Sequence, residues 1–226
     1  MLYSWLLFDA DGTLFDYDTA ESKALAATFH DSGIPFTVGY AKSYRQINAQ
    51  IWSDFEKGQI SQEELRSERF GRLFTALEID ADPLPFSDAY LTNLGNAADL
   101  IDGTQSLLQT LYKKYKLLLI TNGIPEVQRS RLAHSTILRY FEVIIISGEI
   151  GIAKPDPAIF DAAFQSMGHP PRAETLIIGD SLTSDIQGGL NYGIDTCWYN
   201  PDQHPPNPAI PATYEIQTLA ELHALL

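Results

Sequence analysis

Short apolar runs that stop abruptly at polar residues, with helical periodicity between them, constrain this chain more than any other feature. Tyr3–Phe8, Leu117–Thr121, Val143–Ser147, Leu176–Gly179 and Thr196–Tyr199 are runs of this kind. Continuous apolar runs suit strands buried on both faces, as in a parallel sheet. Helical patterns lie between them: Thr104–Tyr112, Pro125–Leu138, a helix opening at Asp156-Pro157, and Ser184–Asn191. Asp156 followed by Pro157 has the form of an N-cap with proline at the first helical position. A last strand and helix, within Tyr214–Leu225, follow a loop carrying five of the thirteen prolines, Pro201 to Pro211. Repeated strand–helix units predict an α/β fold with a doubly wound parallel sheet.

The stretch from Asp16 to Ala98 breaks this alternation. Strand runs vanish and helical spacing takes over: Ala20 to Phe29, then Tyr44, Ile47, Ile51 and Phe55, then Leu65, Phe70, Leu73, Phe74 and Leu77, then Tyr90, Leu91, Leu94 and Ala98. Ser61-Gln62-Glu63-Glu64 reads as a capping box, and Ser87-Asp88 as the lead-in to the last helix. About four helices in roughly 80 residues form an all-helical bundle inserted after the first strand.

Charge limits the partners. Across 226 residues, 29 Asp and Glu face 15 Lys and Arg, a net charge of −14. A surface this acidic repels nucleic acid polymers and anionic lipid unless a basic patch overrides it. The densest basic stretch is only Lys113-Lys114-Tyr115-Lys116. One cysteine, Cys197, allows no internal disulfide and no cysteine-rich zinc site, and is expected as a small buried hydrophobe. The N-terminal apolar stretch reads as a strand rather than a leader, and no run has the length of a membrane helix. The expectation is a cytoplasmic protein, monomer or homodimer, that acts on a small molecule.

Ligands of open parallel α/β sheets bind at the carboxyl ends of the strands. There the chain carries Asp9-Ala10-Asp11-Gly12-Thr13, then Thr121-Asn122-Gly123, then Lys154-Pro155, then Gly179-Asp180 with Asp185 beyond. Two carboxylates about 4 Å apart repel by roughly 4 kcal/mol at an effective dielectric near 20. Several in one site need a cation or shared protons. An all-oxygen donor set suits a hard cation, Mg²⁺ foremost, and Mg²⁺ favours phosphate-bearing substrates. Lys154 and the Thr121 hydroxyl offer donors to phosphoryl oxygens. The histidines His30, His134, His169, His204 and His223 lie near none of these clusters.

In this order and at these places the four motifs resemble the haloacid dehalogenase-like (HAD) hydrolase superfamily, and the likeness spans essentially the whole chain. The resemblance implies a HAD-like Rossmannoid α/β core (residues 1–15 and 99–226) with an inserted helical cap (16–98). It implies an Mg²⁺-dependent phosphatase. In it Asp9 is the nucleophile that forms an aspartyl-phosphate, and Asp11 is the general acid and then the general base. The metal is held by Asp9, the Asp11 carbonyl and Asp180, with Asp185 behind them. Thr121, Asn122 and Lys154 bind the phosphoryl group. The carboxylate at Asp11 marks phosphotransfer rather than dehalogenation.

Phe8 to Asp18, Ile120 to Gly123, Gly151 to Pro155 and Gly188 to Gly193 further resemble the YjjG/YfnB subfamily of small bacterial nucleotidases. That likeness implies a nucleoside 5′-monophosphate substrate, pyrimidine in particular. A sugar-phosphate or phosphoglycolate-type phosphatase is the rival within the fold. A phospho-accepting receiver domain is the rival outside it, opposed by the helical insertion and by the second aspartate. Phe15, Tyr17, Tyr44 and Trp52 could stack a base, though their helical spacing suits bundle core better.

Overall fold

The computed structural model describes residues 2–226. It divides into two compact units. One comprises the N-terminal segment through Tyr17, Asp99–Pro125 and Leu132–Leu226; the other comprises Asp18–Ala98 and Glu126–Arg131.

The first unit is built on six parallel strands: β1 (Trp5–Phe8), β2 (Lys116–Thr121), β3 (Val143–Ile146), β4 (Thr175–Gly179), β5 (Asp195–Tyr199) and β6 (Tyr214–Ile216). Their order is β3-β2-β1-β4-β5-β6. The chain leaves β1 towards one edge and returns to its other side at β4, so the switch point lies between β1 and β4. That is where a doubly wound sheet opens its ligand crevice. Register aligns the strand ends: Phe8 pairs with Leu119 and Ile178, and Thr121 with Ile146. The residues that follow each strand therefore emerge at one rim. Every residue of β1 is buried, as a central strand covered on both faces requires. Leu7, Leu118, Ile120 and Ile177 pack with Phe160, Phe164 and Tyr192 in one hydrophobic layer.

The second unit holds four long helices, α1 (Tyr17–Asp31, all but its first residue), α2 (Val38–Glu56), α3 (Gln62–Leu77) and α4 (Pro83–Asn96). Their shared interior is aromatic. The Phe86 ring lies 4.9 Å from Phe29, 4.8 Å from Phe70 and 5.0 Å from Phe74. Aromatic pairs at such spacings add to the area they bury. The capping box forms at Ser61 and Glu64. Tyr44 is fully buried and stacks on Phe70 at 5.3 Å, so it is bundle core. Phe15 is likewise fully buried in the first unit. Trp52 is half-buried, edge-on to Phe55.

Several boundaries differ from the sequence expectation, and three of them have a clear local cause. Helix α4 starts at Pro83 rather than at Ser87-Asp88, because Asp82 caps it by accepting from the Leu84 N–H at 3.0 Å. Ser87 sits inside the helix and donates to the Arg66 carbonyl of α3 at 2.8 Å. Strand β3 stops at Ile146, since Ser147 opens a single helical turn. After β4 the chain enters a π-helical turn at Leu182–Ile186, two residues before the expected helix start, and Ser181 caps that turn. No helix among the described residues is long and apolar enough to cross a membrane.

Candidate active site

Asp9 follows β1 directly, and its N–H donates to the Ile178 carbonyl at 2.9 Å, which ties it to the end of β4. The chain then turns tightly, with Leu14 and Phe15 both donating to the Ala10 carbonyl. Gly12 lies in that turn with φ +80°, and a Cβ there would fall 2.6 Å from Asp180 Oδ2. Any other side chain would be strained and would displace that carboxylate. The next residue, Thr13, holds Asp180 twice. Its hydroxyl donates to Asp180 Oδ1 at 2.9 Å and accepts from the Asp180 N–H at 3.1 Å.

Lys154 reaches the same rim from the other side and is buried. Its ammonium spends its donors on Asp9 Oδ1 at 2.5 Å, Asp185 Oδ1 at 2.6 Å and the Ile120 carbonyl at 2.8 Å. The Asn122 amide braces the Lys154 backbone in both directions: Nδ2 donates to its carbonyl and Oδ1 accepts from its N–H, each at 2.8 Å. That side chain therefore positions Lys154. Thr121 is buried, and its hydroxyl accepts from the Gly123 N–H at 3.0 Å.

Asp185 is fully buried in the π-turn. Lys154 takes one of its oxygens, and the Ser181 N–H donates to the other at 3.0 Å. Gly179 makes room for it: a Cβ at that position would lie 2.2 Å from the Asp185 carboxyl carbon. Carboxylate oxygens of Asp9, Asp180 and Asp185 all lie within 4.8 Å of one another. Asp11 is half-exposed in the turn after β1, and its carboxylate is outside this group of three. None of the five histidines belongs to it.

The electrostatics follow from burial. Burial raises the Asp180 carboxyl to about 7; the Asp185 charge adds to this, and the Thr13 hydrogen bond opposes it. Burial also drives Asp9 well above the ordinary carboxylate range, against the Lys154 charge and with help from Asp185 and Asp180. Burial alone would lower Lys154, but Asp185 and Asp9 outweigh it and hold the ammonium charged. Three carboxylates facing one ammonium leave the cluster short of positive charge. A divalent cation would restore the balance, and an all-oxygen set is the donor chemistry that Mg²⁺ prefers.

Residues 3–193 match the sequence model of the haloacid dehalogenase-like hydrolases. The chain belongs to this family. This hydrolase is 38% identical over 224 residues to the HAD-hydrolase YfnB of Bacillus subtilis, covering 99% of this chain and 95% of the relative. The crystal structure of YfnB bound to magnesium superposes with a TM-score of 0.95, over 100% of this chain and 99% of that one. Similarity is as broad to the pyrimidine 5′-nucleotidase PynA of Streptococcus pneumoniae, 37% identical over 98% of this chain and 94% of the relative. To the pyrimidine 5′-nucleotidase YjjG of Escherichia coli the hydrolase is 34% identical over 100% of this chain and 99% of the relative.

Of the site residues expected from sequence, Asp9, Asp180, Asp185 and Lys154 converge directly, while Thr121 and Asn122 shape the loops around them. Sequence reasoning passed over three residues. Thr13 was visible only as part of its motif, and its bond to Asp180 spans 167 positions. Ser181, a serine one residue before a helical turn, carries an N-cap signal. Trp198, whose indole N–H donates to the Asp180 carbonyl at 2.8 Å, carries no signal, because a tryptophan in a buried strand reads as packing.

Proposed function

We propose that this hydrolase cleaves small phosphate monoesters through an aspartyl-phosphate on Asp9, with Mg²⁺ as cofactor and pyrimidine nucleoside 5′-monophosphates as substrates. The observation that carries the chemistry is the Asp9 carboxylate, held 2.5 Å from the Lys154 ammonium beside the Asp180–Asp185 pair. An Asp9 oxygen attacks phosphorus, the P–O bond to the leaving alkoxide breaks, and Asp11 gives that alkoxide its proton. Water then attacks the phosphorylated Asp9. Asp11 takes the water's proton, and the bond between Asp9 and phosphorus breaks to release inorganic phosphate. Lys154 fixes the Asp9 carboxylate and keeps positive charge beside the group in transfer. Thr121 and the backbone around Asn122 line the phosphate's seat. Asp9, the Asp11 carbonyl and Asp180 would hold the cation, with Asp185 steadying the set. The bound cation supplies charge neutralisation and polarises the phosphoryl oxygens.

Asp180 makes the cation's effect depend on pH. Its carboxyl, raised to about 7, is easier to keep buried when protonated. The metal-free stability it contributes is therefore present below the ordinary carboxylate value and lost as pH rises through about 7. The cation replaces that proton, so Mg²⁺ should raise the melting temperature more at pH 8 than at pH 5.5. At a hundredfold excess over Kd the gain is about 2.7 kcal/mol, or about 5–11 °C for a chain of this size. An equal gain at both pH values would remove Asp180 from the metal site.

The pyrimidine substrate class rests on full-length similarity to two pyrimidine 5′-nucleotidases. A panel of nucleoside monophosphates, sugar phosphates and phosphoglycolate under saturating Mg²⁺ tests it. Pyrimidine 5′-monophosphates are expected to give the highest kcat/KM. Comparable or higher values on sugar phosphates or phosphoglycolate would replace the nucleotidase assignment with its rival. We place the reaction in the cytoplasm, carried out by a monomer or homodimer.

A further inference from the structure

Strand β5 lies beside β4 with Trp198 opposite Gly179, one residue before Asp180. Trp198 is buried, and its indole Nε1–H donates to the Asp180 carbonyl at 2.8 Å. The same peptide group, through the Ser181 N–H, donates to Asp185 Oδ2 at 3.0 Å. One peptide plane is thus gripped from both sides, by the indole at its oxygen and by the Asp185 carboxylate at its nitrogen. Thr13 grips the preceding N–H and the Asp180 side chain. With both flanking peptides held, the direction in which Asp180 projects its carboxylate is set before any ligand arrives. Hydrogen bonds in series also polarise one another, so the indole strengthens the Ser181 bond to Asp185.

We infer that Trp198 is a positioning residue for cation binding: its indole N–H presets the Asp180–Ser181 peptide and thereby the Asp180–Asp185 pair that receives the metal. The inference rests on the proposed metal site and adds to it a residue from a neighbouring strand that offers the cation no ligand of its own. Partners of this kind, bonded to metal ligands rather than to the metal, typically account for about 10–100-fold in affinity.

The test is Mg²⁺ affinity measured calorimetrically on the full chain without substrate, for the parent, Trp198→Phe and Trp5→Phe. Phenylalanine keeps an aromatic ring and removes the donor. Trp5 is equally buried, at the opening of β1, so its variant controls for loss of ring volume. Expected are a Kd raised about 10–100-fold in Trp198→Phe and little change in Trp5→Phe. At saturating Mg²⁺, kcat of Trp198→Phe should return close to the parent value. Equal Kd in Trp198→Phe and parent overturns the inference, as does equal weakening in both variants. A parent that binds no Mg²⁺ overturns the metal site itself, and the inference with it. If Trp198→Phe does not fold, the parent still decides. The chain has three tryptophans, and their indole N–H resonances can be assigned from Trp5→Phe and Trp52→Phe. The Trp198 resonance should move on Mg²⁺ addition while that of Trp5 stays. An unmoved Trp198 resonance counts against the inference.

Discussion

Asp9→Asn is expected to abolish turnover while leaving the fold intact. Asparagine has the shape of aspartate, and its Oδ1 can still accept from the Lys154 ammonium, which also keeps Asp185 and the Ile120 carbonyl as partners. The change removes one of three mutually repelling carboxylates from a buried site. The melting temperature should therefore hold or rise slightly. The amide has no charge with which to attack phosphorus, so the covalent route closes. Loss of a nucleophile of this kind lowers kcat on the order of 10⁴-fold or more. Initial rates on p-nitrophenyl phosphate with Mg²⁺ measure the loss. Mass spectrometry after an acid quench should find a phosphate adduct in the parent and none in the variant. Retention of more than about a hundredth of the parent kcat would move the nucleophile elsewhere.

Lys154→Met has the second large effect, and it strikes stability first. Methionine fills similar space but leaves Asp9 Oδ1 and Asp185 Oδ1 facing each other without their shared cation. Breaking a buried ion pair from one side costs about 3–5 kcal/mol, which corresponds to about 6–20 °C in melting temperature here. The deficit should depend on pH. Without Lys154 to lower it, the Asp9 carboxyl rises further above its unfolded value. A raised carboxyl contributes stability that is present at low pH and lost as pH climbs through its folded value. The gap to the parent should therefore narrow from pH 8 to pH 5.5. Turnover should fall by about 10²–10³-fold, because the fixed positive charge beside the group in transfer is lost. A gap that stays constant over that range would mean that the ion pairs do not set the stability of this site.

Both predictions draw on residues recognisable in the bare chain, because the signals they carry are local. Asp9, Thr121 and Asp180 each sit at or just beyond the end of an apolar run, and Lys154 follows one after a short loop. The parallel sheet that those runs imply already forces their ends to one rim. The capping box at Ser61–Glu64 and the Asp156–Pro157 helix start lie within four consecutive residues, and both form as read. The start of α4 differs from the reading at Ser87-Asp88, because Asp82 caps the helix by accepting from the Leu84 N–H. Ser87, inside the helix, instead donates to the carbonyl of Arg66 on another helix, a contact that no local pattern shows. Spacing alone leaves Tyr44 between base stacking and core, and the Phe70 ring stacked against it makes it core.

Order along the chain thus settled the alternating architecture and the helical insertion and singled out the candidate site residues, because burial periodicity and capping act over a few neighbouring positions. Tertiary structure alone decided how those residues are held. Lys154 meets Asp9 across 145 positions, Thr13 meets Asp180 across 167, and Trp198 reaches back from the next strand to the Asp180 carbonyl. Hydrogen bonds and ion pairs of this kind depend on distances of a few tenths of an ångström between distant parts of the chain. The net charge of −14 shows the same division. Counting residues fixes its size, but only the fold gathers three of those carboxylates within 4.8 Å of one another and makes a site that wants a cation.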